Sequence, residues 1–243
     1  MIALRQTLKA VTIATVLLGI AFAIYAFVKN RPQDVPWAPL DLAEAPGMFT
    51  ASKLAALRSE PRRCTALLDR AGVRFDRLAP VRPEAACGYS DGVRMKGGGA
   101  RTIGFAPAGV GTSCPVAAGL AMLEWHVLQP AAQRHFGARL ATIEHFGSYN
   151  CRRMYGRATG DWSEHATANA LDLSGVVLSD GTRVTVVRDW SGEGAKARFL
   201  RDVRDGACRL FTTVLSPDYN AAHRDHLHLD LADRGAMGWR ACR

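Results

Sequence analysis

An α+β fold is predicted for this chain, with a small antiparallel sheet that has helices on one face. The strongest strand signal is residues 226–231, where three leucines alternate strictly with His, His and Asp, as on a half-buried strand. The strongest helix signal is residues 115–126, which are rich in Ala and Leu and begin with a proline suited to a first helical turn. Together these signals favour one α+β domain.

The other elements follow from the same patterns. Helices are predicted at residues 48–57, 64–71 and 195–205, and strands at residues 140–146, 171–178 and 183–187. We expect the helices to cover one face of the sheet and a metal site to lie on the other.

An uncharged run at residues 11–28 precedes this domain. Its 18 residues would span about 27 Å as a helix at ~1.5 Å per residue, close to a hydrocarbon core of ~30 Å. Apolar chain continues beyond the candidate cleavage site at residues 21–23, so an uncleaved anchor is predicted. The predicted organisation is a cytoplasmic N-terminus at 1–10, a transmembrane signal anchor at 11–28, a Pro-rich extended linker at 29–46 and the domain at 47–243.

The cysteines indicate which side of the membrane the domain occupies. There are six, an even number, without a Cys-x-x-Cys pair, which favours disulfides over a metal site and therefore an oxidising compartment. We predict a single-pass inner-membrane protein whose domain lies in the periplasm. Sequential pairing is the working hypothesis, namely Cys64 with Cys87, Cys114 with Cys151 and Cys208 with Cys242.

Two clusters near the C-terminus hold candidate metal ligands. His165 and Asp172 are separated by six residues, and the later strand carries His226 and His228 on one face. A single histidine on a half-buried strand is usually a hydrogen-bonded structural residue. Here, however, Asp172 lies between apolar neighbours, where an unpaired carboxylate is costly. Imidazoles and a carboxylate suit zinc, and three protein ligands leave a fourth position for water.

These residues carry a resemblance to known zinc enzymes. The spacing His165-x6-Asp172 followed by His226-x-His228 resembles the zinc signature of the peptidoglycan-cleaving metallopeptidases. That group includes lysostaphin-type enzymes, D-Ala-D-Ala peptidases and the hedgehog signalling domain.

Within this group two patterns are mixed. Ser163 and Ala170 belong to a segment similar to the Ser-x-His-x-x-Gly-x-Ala-x-Asp pattern of the D-Ala-D-Ala carboxypeptidases, except that Ala168 stands in the place of the glycine. The spacing of His223 from the later pair instead resembles the penicillin-insensitive murein endopeptidases. From about residue 64 to 243, the chain as a whole resembles the bacterial extensin-like C-terminal family.

The resemblance implies roles for individual residues. It implies that zinc is bound by His165, Asp172 and His228. The general base is either His226 or Asp225, because Asp225 stands where the carboxypeptidases have the Glu of Glu-x-x-His. We favour His226, which strand alternation puts on the metal face, with His223 assisting at the edge of the site.

Substrate-binding residues are expected beside the metal. Residues 147–152 resemble the Gly-Tyr-Arg region of the carboxypeptidases, which implies that Arg152 contacts substrate, and Ser163 receives the same role from its place in the pattern. A guanidinium can hold a carboxylate through two hydrogen bonds, which suits a murein stem peptide. Alternatively, Arg152 and Arg153 belong to a generally basic surface. A disulfide at Cys151 would pin Arg152 beside the site.

The resemblance implies zinc-dependent hydrolysis of amide bonds in peptidoglycan stem peptides or crosslinks, by a D,D-endopeptidase or carboxypeptidase that uses a zinc-activated water. Two alternatives stay open: cleavage of L,D-type crosslinks, and a non-catalytic murein-binding or regulatory module that keeps zinc for structure. The expected partners are peptidoglycan and the inner membrane, and an activator protein is left unidentified.

The charge balance argues against a nucleic-acid partner. The formal net charge is +9, but four of the cations and no acids fall in residues 1–31, so the remainder carries +5. No dense Lys/Arg stripe is present, and attraction to anionic murein or lipid head groups is the simpler account.

Overall fold

The computed structural model describes residues 2–82, 86–235 and 239–243. Its helices are α1 (Ile2–Asn30), α2 (Thr50–Ala56), α3 (Pro61–Arg70), α4 (Cys114–Leu123), α5 (Gln129–Phe136), α6 (Val186–Asp189) and α7 (Ala195–Ala207). Its strands are β1 (Val73–Arg77), β2 (Gly92–Gly99), β3 (Gly104–Ala106), β4 (Gly111–Ser113), β5 (Leu140–His145), β6 (Ala170–Leu178), β7 (Arg183–Thr185), β8 (Thr213–Leu215), β9 (Leu227–Asp230) and β10 (Ala241–Cys242).

The main sheet is built around β6. Within the described ranges it has seven strands in the order β10-β8-β9-β6-β5-β3, and β7 also pairs with β6. The central pairs are antiparallel, as predicted. The outer pairs, β3 with β5 and β10 with β8, are parallel. The sheet is therefore mixed rather than wholly antiparallel, because the helices between β3 and β5 make a connection long enough for a parallel crossover.

One face of this sheet packs on the helices. Leu171 and Leu173 of β6 lie in a single hydrophobic core with Leu227 and Leu229 of β9 and with α4 and α7. All ten residues of α4 are buried, as expected of a helix that is apolar all round. The predicted α+β architecture is confirmed, and the residues that alternate with these leucines project from the other face of the sheet.

The predicted helices are present with shifted ends. The helix predicted at 115–126 begins at Cys114 and continues through a π-helical turn, Glu124–Leu128, into α5. It ends at Gly137, which has a left-handed conformation (φ 64°) that favours glycine. The strand predicted at 183–187 is wrong in its last residues, because α6 begins at Val186.

A second sheet was not predicted. Strands β1, β2 and β4 form an antiparallel sheet of three strands among the described residues. It lies beside α3 and α4, and Val93 and Met95 of β2 enter the same core as the helices. The two sheets therefore share one hydrophobic core.

The disulfides correct the sequential pairing. The bonds are Cys64–Cys114, Cys87–Cys151 and Cys208–Cys242. Only the third pair follows the order of the sequence. The first bond joins α3 to the start of α4, which pack against each other in the core, so packing of helices decides the partner and not proximity in sequence.

The Pro-rich segment predicted as an extended linker packs against the domain. Val35, Leu40 and Leu42 are buried, and the two leucines belong to the main core. The carbonyl oxygen of Leu42 lies 3.0 Å from Nε2 of His126. The prediction of a free tether at these positions is therefore wrong, because the segment carries apolar side chains that the core accommodates.

The N-terminal helix is not packed on the domain. From Leu4 onward α1 is almost wholly exposed, and residues Leu4–Asn30 are long and apolar enough to cross a membrane. Its length and composition suit either a membrane span or an export signal.

Candidate metal centre

Two neighbouring strands and one turn bring the predicted ligands together. Asp172 on β6 and His228 on β9 are direct partners in the antiparallel ladder, and both project from the face opposite the leucines. His165 lies on the 3-10 turn Glu164–Thr167. Side-chain period and strand register therefore place Asp172 and His228 together without any contribution from the loops.

The turn that carries His165 is held at both ends. The Ser163 hydroxyl accepts a hydrogen bond from the His165 backbone N–H (3.3 Å), as a helix cap does. Ala168, where the carboxypeptidase pattern has glycine, takes a left-handed conformation (φ 53°). This backbone conformation favours glycine. In this chain an alanine adopts it, and its methyl group is buried.

A disulfide clamps the same turn from outside. The Gly88 N–H donates to the Ala166 carbonyl (2.8 Å), and the Asn150 N–H donates to the His165 carbonyl (3.0 Å). Gly88 and Asn150 each adjoin one cysteine of the Cys87–Cys151 bond. The two backbone segments that hold the His165 turn are therefore covalently tied to each other.

Three acceptor atoms converge at this point. His165 Nε2 lies 3.1 Å from Asp172 Oδ1 and 3.2 Å from His228 Nδ1, and His228 Nδ1 lies 2.9 Å from the same oxygen. Each ligand atom of this trio is thus within 4.8 Å of the others. Two nitrogens and one oxygen at this spacing fit the ligand set of a catalytic zinc ion.

Outer hydrogen bonds select the tautomer of both imidazoles. His165 Nδ1 donates to the Ser148 carbonyl (2.5 Å), and His228 Nε2 donates to the Asp230 carboxylate (2.9 Å). Each ring therefore turns a lone pair toward Asp172, which is itself an acceptor. Lone pairs that face one another repel unless a cation lies between them. Outer acceptors such as these are typical of metal-binding histidines.

The charges of the trio agree with this geometry. Burial would raise the pKa of Asp172, but hydrogen bonds and charges from His165 and His228 outweigh burial and hold that pKa well below its usual range. Burial would lower the pKa of His228, but hydrogen bonds with Asp172 and Asp230 raise it to about 9. Without an ion in the trio, a proton on His228 therefore takes the place between the acceptor atoms that a cation would fill.

The two candidate bases are not equivalent in position. His226 lines the cleft, with Nε2 3.5 Å from Asp172 Oδ1. Asp225 does not line the cleft, and its Oδ1 lies 2.9 Å from Nδ1 of His226. The structure thus places Asp225 behind His226, where its carboxylate can accept the Nδ1 proton and leave the Nε2 lone pair facing the trio.

His223 is oriented by a residue that sequence reasoning missed. Asn220 Oδ1 accepts hydrogen bonds from Nδ1 of His223 (2.8 Å) and from the backbone of Ala222 (3.0 Å), and Asn220 Nδ2 donates to the Tyr155 hydroxyl (3.3 Å). The ring centroid of His223 lies 5.2 Å from that of His226. Burial, followed by the charges of the neighbouring histidines, lowers the pKa of His223 to about 4, so this ring is neutral near pH 7.

The trio lies in a cleft of about 440 Å³ that three arginines help to line, Arg152, Arg234 and Arg243, together with Ser163. Arg234 donates from Nε to the Thr213 hydroxyl of β8 (3.1 Å). Arg152 Nε is buried and has no hydrogen-bond partner within the described residues. Tyr155, Trp162 and Tyr219 are among the other lining residues. The two C-terminal arginines had no sequence signal, since they lie apart from every motif.

A larger cavity of about 590 Å³ lies beyond the His165 turn. Arg58, Tyr89, Asp91 and Thr167 line it, but none of the clustered histidines does. The smaller cleft is the candidate site because the converging ligand atoms are there.

A family model covers the part of the chain that holds these residues. The family model described as "Extensin-like protein C-terminus" matches residues 62–243, which is most of the chain and includes every residue of the site. This chain belongs to the extensin-like protein C-terminus family. Searches of curated proteins and of solved structures find no match. The extensin-like match begins within α3, so α1, the packed Pro-rich segment and α2 lie before it.

Proposed function

We propose that this protein is a zinc-dependent peptidase that hydrolyses amide bonds in peptidoglycan stem peptides or their crosslinks. One observation carries the proposal: His165, Asp172 and His228 turn three acceptor atoms toward one point while outer hydrogen bonds occupy the remaining nitrogens of both rings. That arrangement suits a metal ion better than a structural histidine, whose ring would present its second nitrogen to a donor.

Zinc is the metal that the donor set favours. Two imidazole nitrogens, which are borderline ligands, and one hard carboxylate oxygen form a set that zinc accepts, and three protein ligands leave one position open in tetrahedral geometry. When bound, zinc supplies a Lewis acid for the scissile carbonyl and a water that loses its proton near neutral pH.

Two histidines in the cleft are placed to move protons. His226 Nε2 faces the trio while Asp225 holds Nδ1, so Nε2 is the atom that accepts a proton from water and later returns it to the leaving amine. His223 has its Nδ1 proton fixed by Asn220 and stays neutral, which leaves Nε2 as an acceptor at the edge of the cleft.

Arg152 supports an anionic substrate. Its buried Nε lacks a partner among the described residues, so a ligand carboxylate in the cleft would complete its hydrogen bonding. Ser163 lines the same side, and its hydroxyl, which accepts from the His165 backbone, keeps its proton free to donate. Stem peptides supply such carboxylates, and the net positive charge of the domain favours an anionic polymer.

The proposed location is the periplasmic side of the inner membrane. A helix long enough to span the bilayer and three disulfides in the folded domain support it. The proposed partners are the lipid bilayer and peptidoglycan.

The test is mass spectrometry of muropeptides after the full chain, purified in detergent, is incubated with intact sacculi and zinc. We expect loss of crosslinked dimers or of a terminal D-Ala, and no loss with His165→Ala. The products also separate cleavage of D,D bonds from cleavage of L,D bonds. His135→Ala is the matched control, because His135 bonds Asp202 away from the cleft. Zinc-loaded protein that leaves every muropeptide unchanged would reject the peptidase and favour a binding or regulatory module.

A further inference from the structure

Residues 31–49, which we call the docked segment, are fixed to the domain directly after α1. Gln33 is only 3% exposed, and its carbonyl accepts a hydrogen bond from the Phe49 N–H (3.2 Å). The Asp34 carboxylate accepts from the Met48 N–H (2.6 Å). These hydrogen bonds therefore join the first and last residues of the docked segment, next to the start of α2.

The fit at this junction is close. Lys53 on α2 donates from Nζ to the Pro32 carbonyl (2.9 Å). A Cβ atom on Gly47 would lie 2.5 Å from Asp34 Oδ1 and 2.5 Å from the Gln33 carbonyl carbon, so the two backbones touch and only glycine fits. Together with the buried Val35 and Leu42, these contacts make the junction part of the folded domain.

Chain length then limits how far the domain can stand from the end of α1. α1 ends at Asn30, and Gln33 is three residues later. Three residues span at most ~11 Å at ~3.6 Å per residue. If α1 crosses a membrane, this limit holds at any tilt of the helix, because it depends only on the chain. The headgroup region is several ångströms thick on each side, so the start of the docked segment lies in it or directly beside it.

The docked segment presents side chains that suit this layer. Trp37 is 77% exposed and Met48 is 65% exposed, although both are large and apolar. Charge does not add to this, because residues 31–49 carry one cation, Arg31, and three acids. Tryptophan is enriched where hydrocarbon meets water, so the exposed apolar side chains are what suits the layer.

We propose that the docked segment lies in the lipid headgroup layer, with Trp37 and Met48 inserted among the lipids. The inference rests on α1 as a membrane span, which is part of the proposed location, and it does not depend on catalysis. It also constrains the substrate. α2 and the turn after it lead to Arg58, whose guanidinium bonds Glu164 (3.3 Å) and Thr167 (3.0 Å) of the His165 turn. The cleft is thus held near the bilayer, where it meets peptides close to the membrane surface.

Spin labelling of the full chain tests the inference. The cysteines of the described domain are all in disulfides, so one introduced cysteine gives a single labelling position. We would label Trp37→Cys and Met48→Cys in vesicles of phosphatidylethanolamine and phosphatidylglycerol. The matched control is Val187→Cys, which is 60% exposed beyond β7. Collisions with oxygen and with a water-soluble nickel chelate are then compared.

We expect the labels at positions 37 and 48 to collide with oxygen more than with nickel, and the label at 187 to show the reverse. The Met48→Cys protein keeps Trp37. Its label therefore also shows whether the docked segment reaches the headgroup layer when the tryptophan is intact. Nickel access at both positions equal to that at 187 would overturn the inference. So would an intact mass showing that the exported protein has lost α1. Neither result bears on peptidase activity, which the muropeptide assay tests separately.

Discussion

At the scale of single residues, the site is defined as much by the outer acceptors as by the ligands. The Ser148 carbonyl and the Asp230 carboxylate decide which nitrogen of His165 and of His228 faces inward. Asp230 could have been found from the sequence, because it continues the alternation of the two histidines on the strand. Ser148 could not have been found in this way, because it acts through its backbone carbonyl, which every residue type has.

Asp230→Asn should weaken zinc binding about 10- to 100-fold, the range typical of lost outer contacts to metal ligands. The variant keeps the oxygen that accepts from the Ala232 N–H but turns an amide N–H₂ toward Nε2 of His228, which is also a donor. Competition against a zinc indicator measures the affinity. Asp233→Asn is the control, since among the described residues Asp233 accepts a hydrogen bond from Gly235 of its own loop. Equal affinities for the two variants would contradict the role of Asp230.

Asn220→Leu should lower kcat about tenfold with little change in KM, because general acid–base groups contribute ~100-fold or more only when their tautomer is correct. The variant frees Nδ1 of His223 from its acceptor. Asn220→Asp keeps that acceptor and should restore most of the rate. Steady-state kinetics on a purified muropeptide, together with unfolding temperatures, provide the check. A loss that Asp does not rescue would mean that Asn220 acts only through the fold.

At the scale of elements, strand patterns found β5, β6, β7 and β9 and missed the other strands of the described ranges. β5, β6 and β9 were predictable because each alternates or is continuously apolar over several residues. β3, β4, β8 and β10 have three residues or fewer, too short for any period. Three consecutive glycines at the end of β2 hid that strand too, because glycine is poor in strands. The parallel edges and two disulfides are contacts between distant segments, which local patterns do not encode.

The π-helical turn between α4 and α5 carries a buried ion pair. Glu124 Oε2 lies 2.9 Å from Nε of Arg101, and both side chains are fully buried. Glu124→Gln leaves the guanidinium charged and unpaired in the core, which should cost about 3–5 kcal/mol of unfolding free energy. Urea unfolding of residues 31–243 measures it. Glu193→Gln, at an exposed position, should change little. A loss below about 1 kcal/mol, typical of exposed pairs, would show that this pair is not as buried as described.

At the scale of the whole molecule, the folded unit is larger than the matched family region. The core includes Leu40, Leu42 and Leu54, all of which precede residue 62. The frequent prolines of residues 29–46 predicted a tether. The apolar residues between those prolines instead pack into the core. The sequence that directly follows α1 is therefore part of the folded domain.

A chain that begins at residue 47 should be much less stable than one that begins at residue 31. It lacks Val35, Leu40 and Leu42, each buried, and each such side chain contributes about 2 kcal/mol. We expect a clear drop in the unfolding temperature and more aggregation in the shorter chain. Thermal unfolding followed by circular dichroism compares the two, at equal pH and salt. Identical unfolding temperatures would show that the docked segment adds nothing to the fold.

The Cys87–Cys151 clamp has a consequence for when the protein matures. Protein thiols stay reduced where the chain is synthesised, and there no covalent bond ties the two segments that hold the His165 turn. If the domain is exported as proposed, oxidation therefore comes before firm assembly of the candidate metal centre. A wall-degrading activity controlled in this way would stay silent inside the cell and begin only once the domain has reached its substrate.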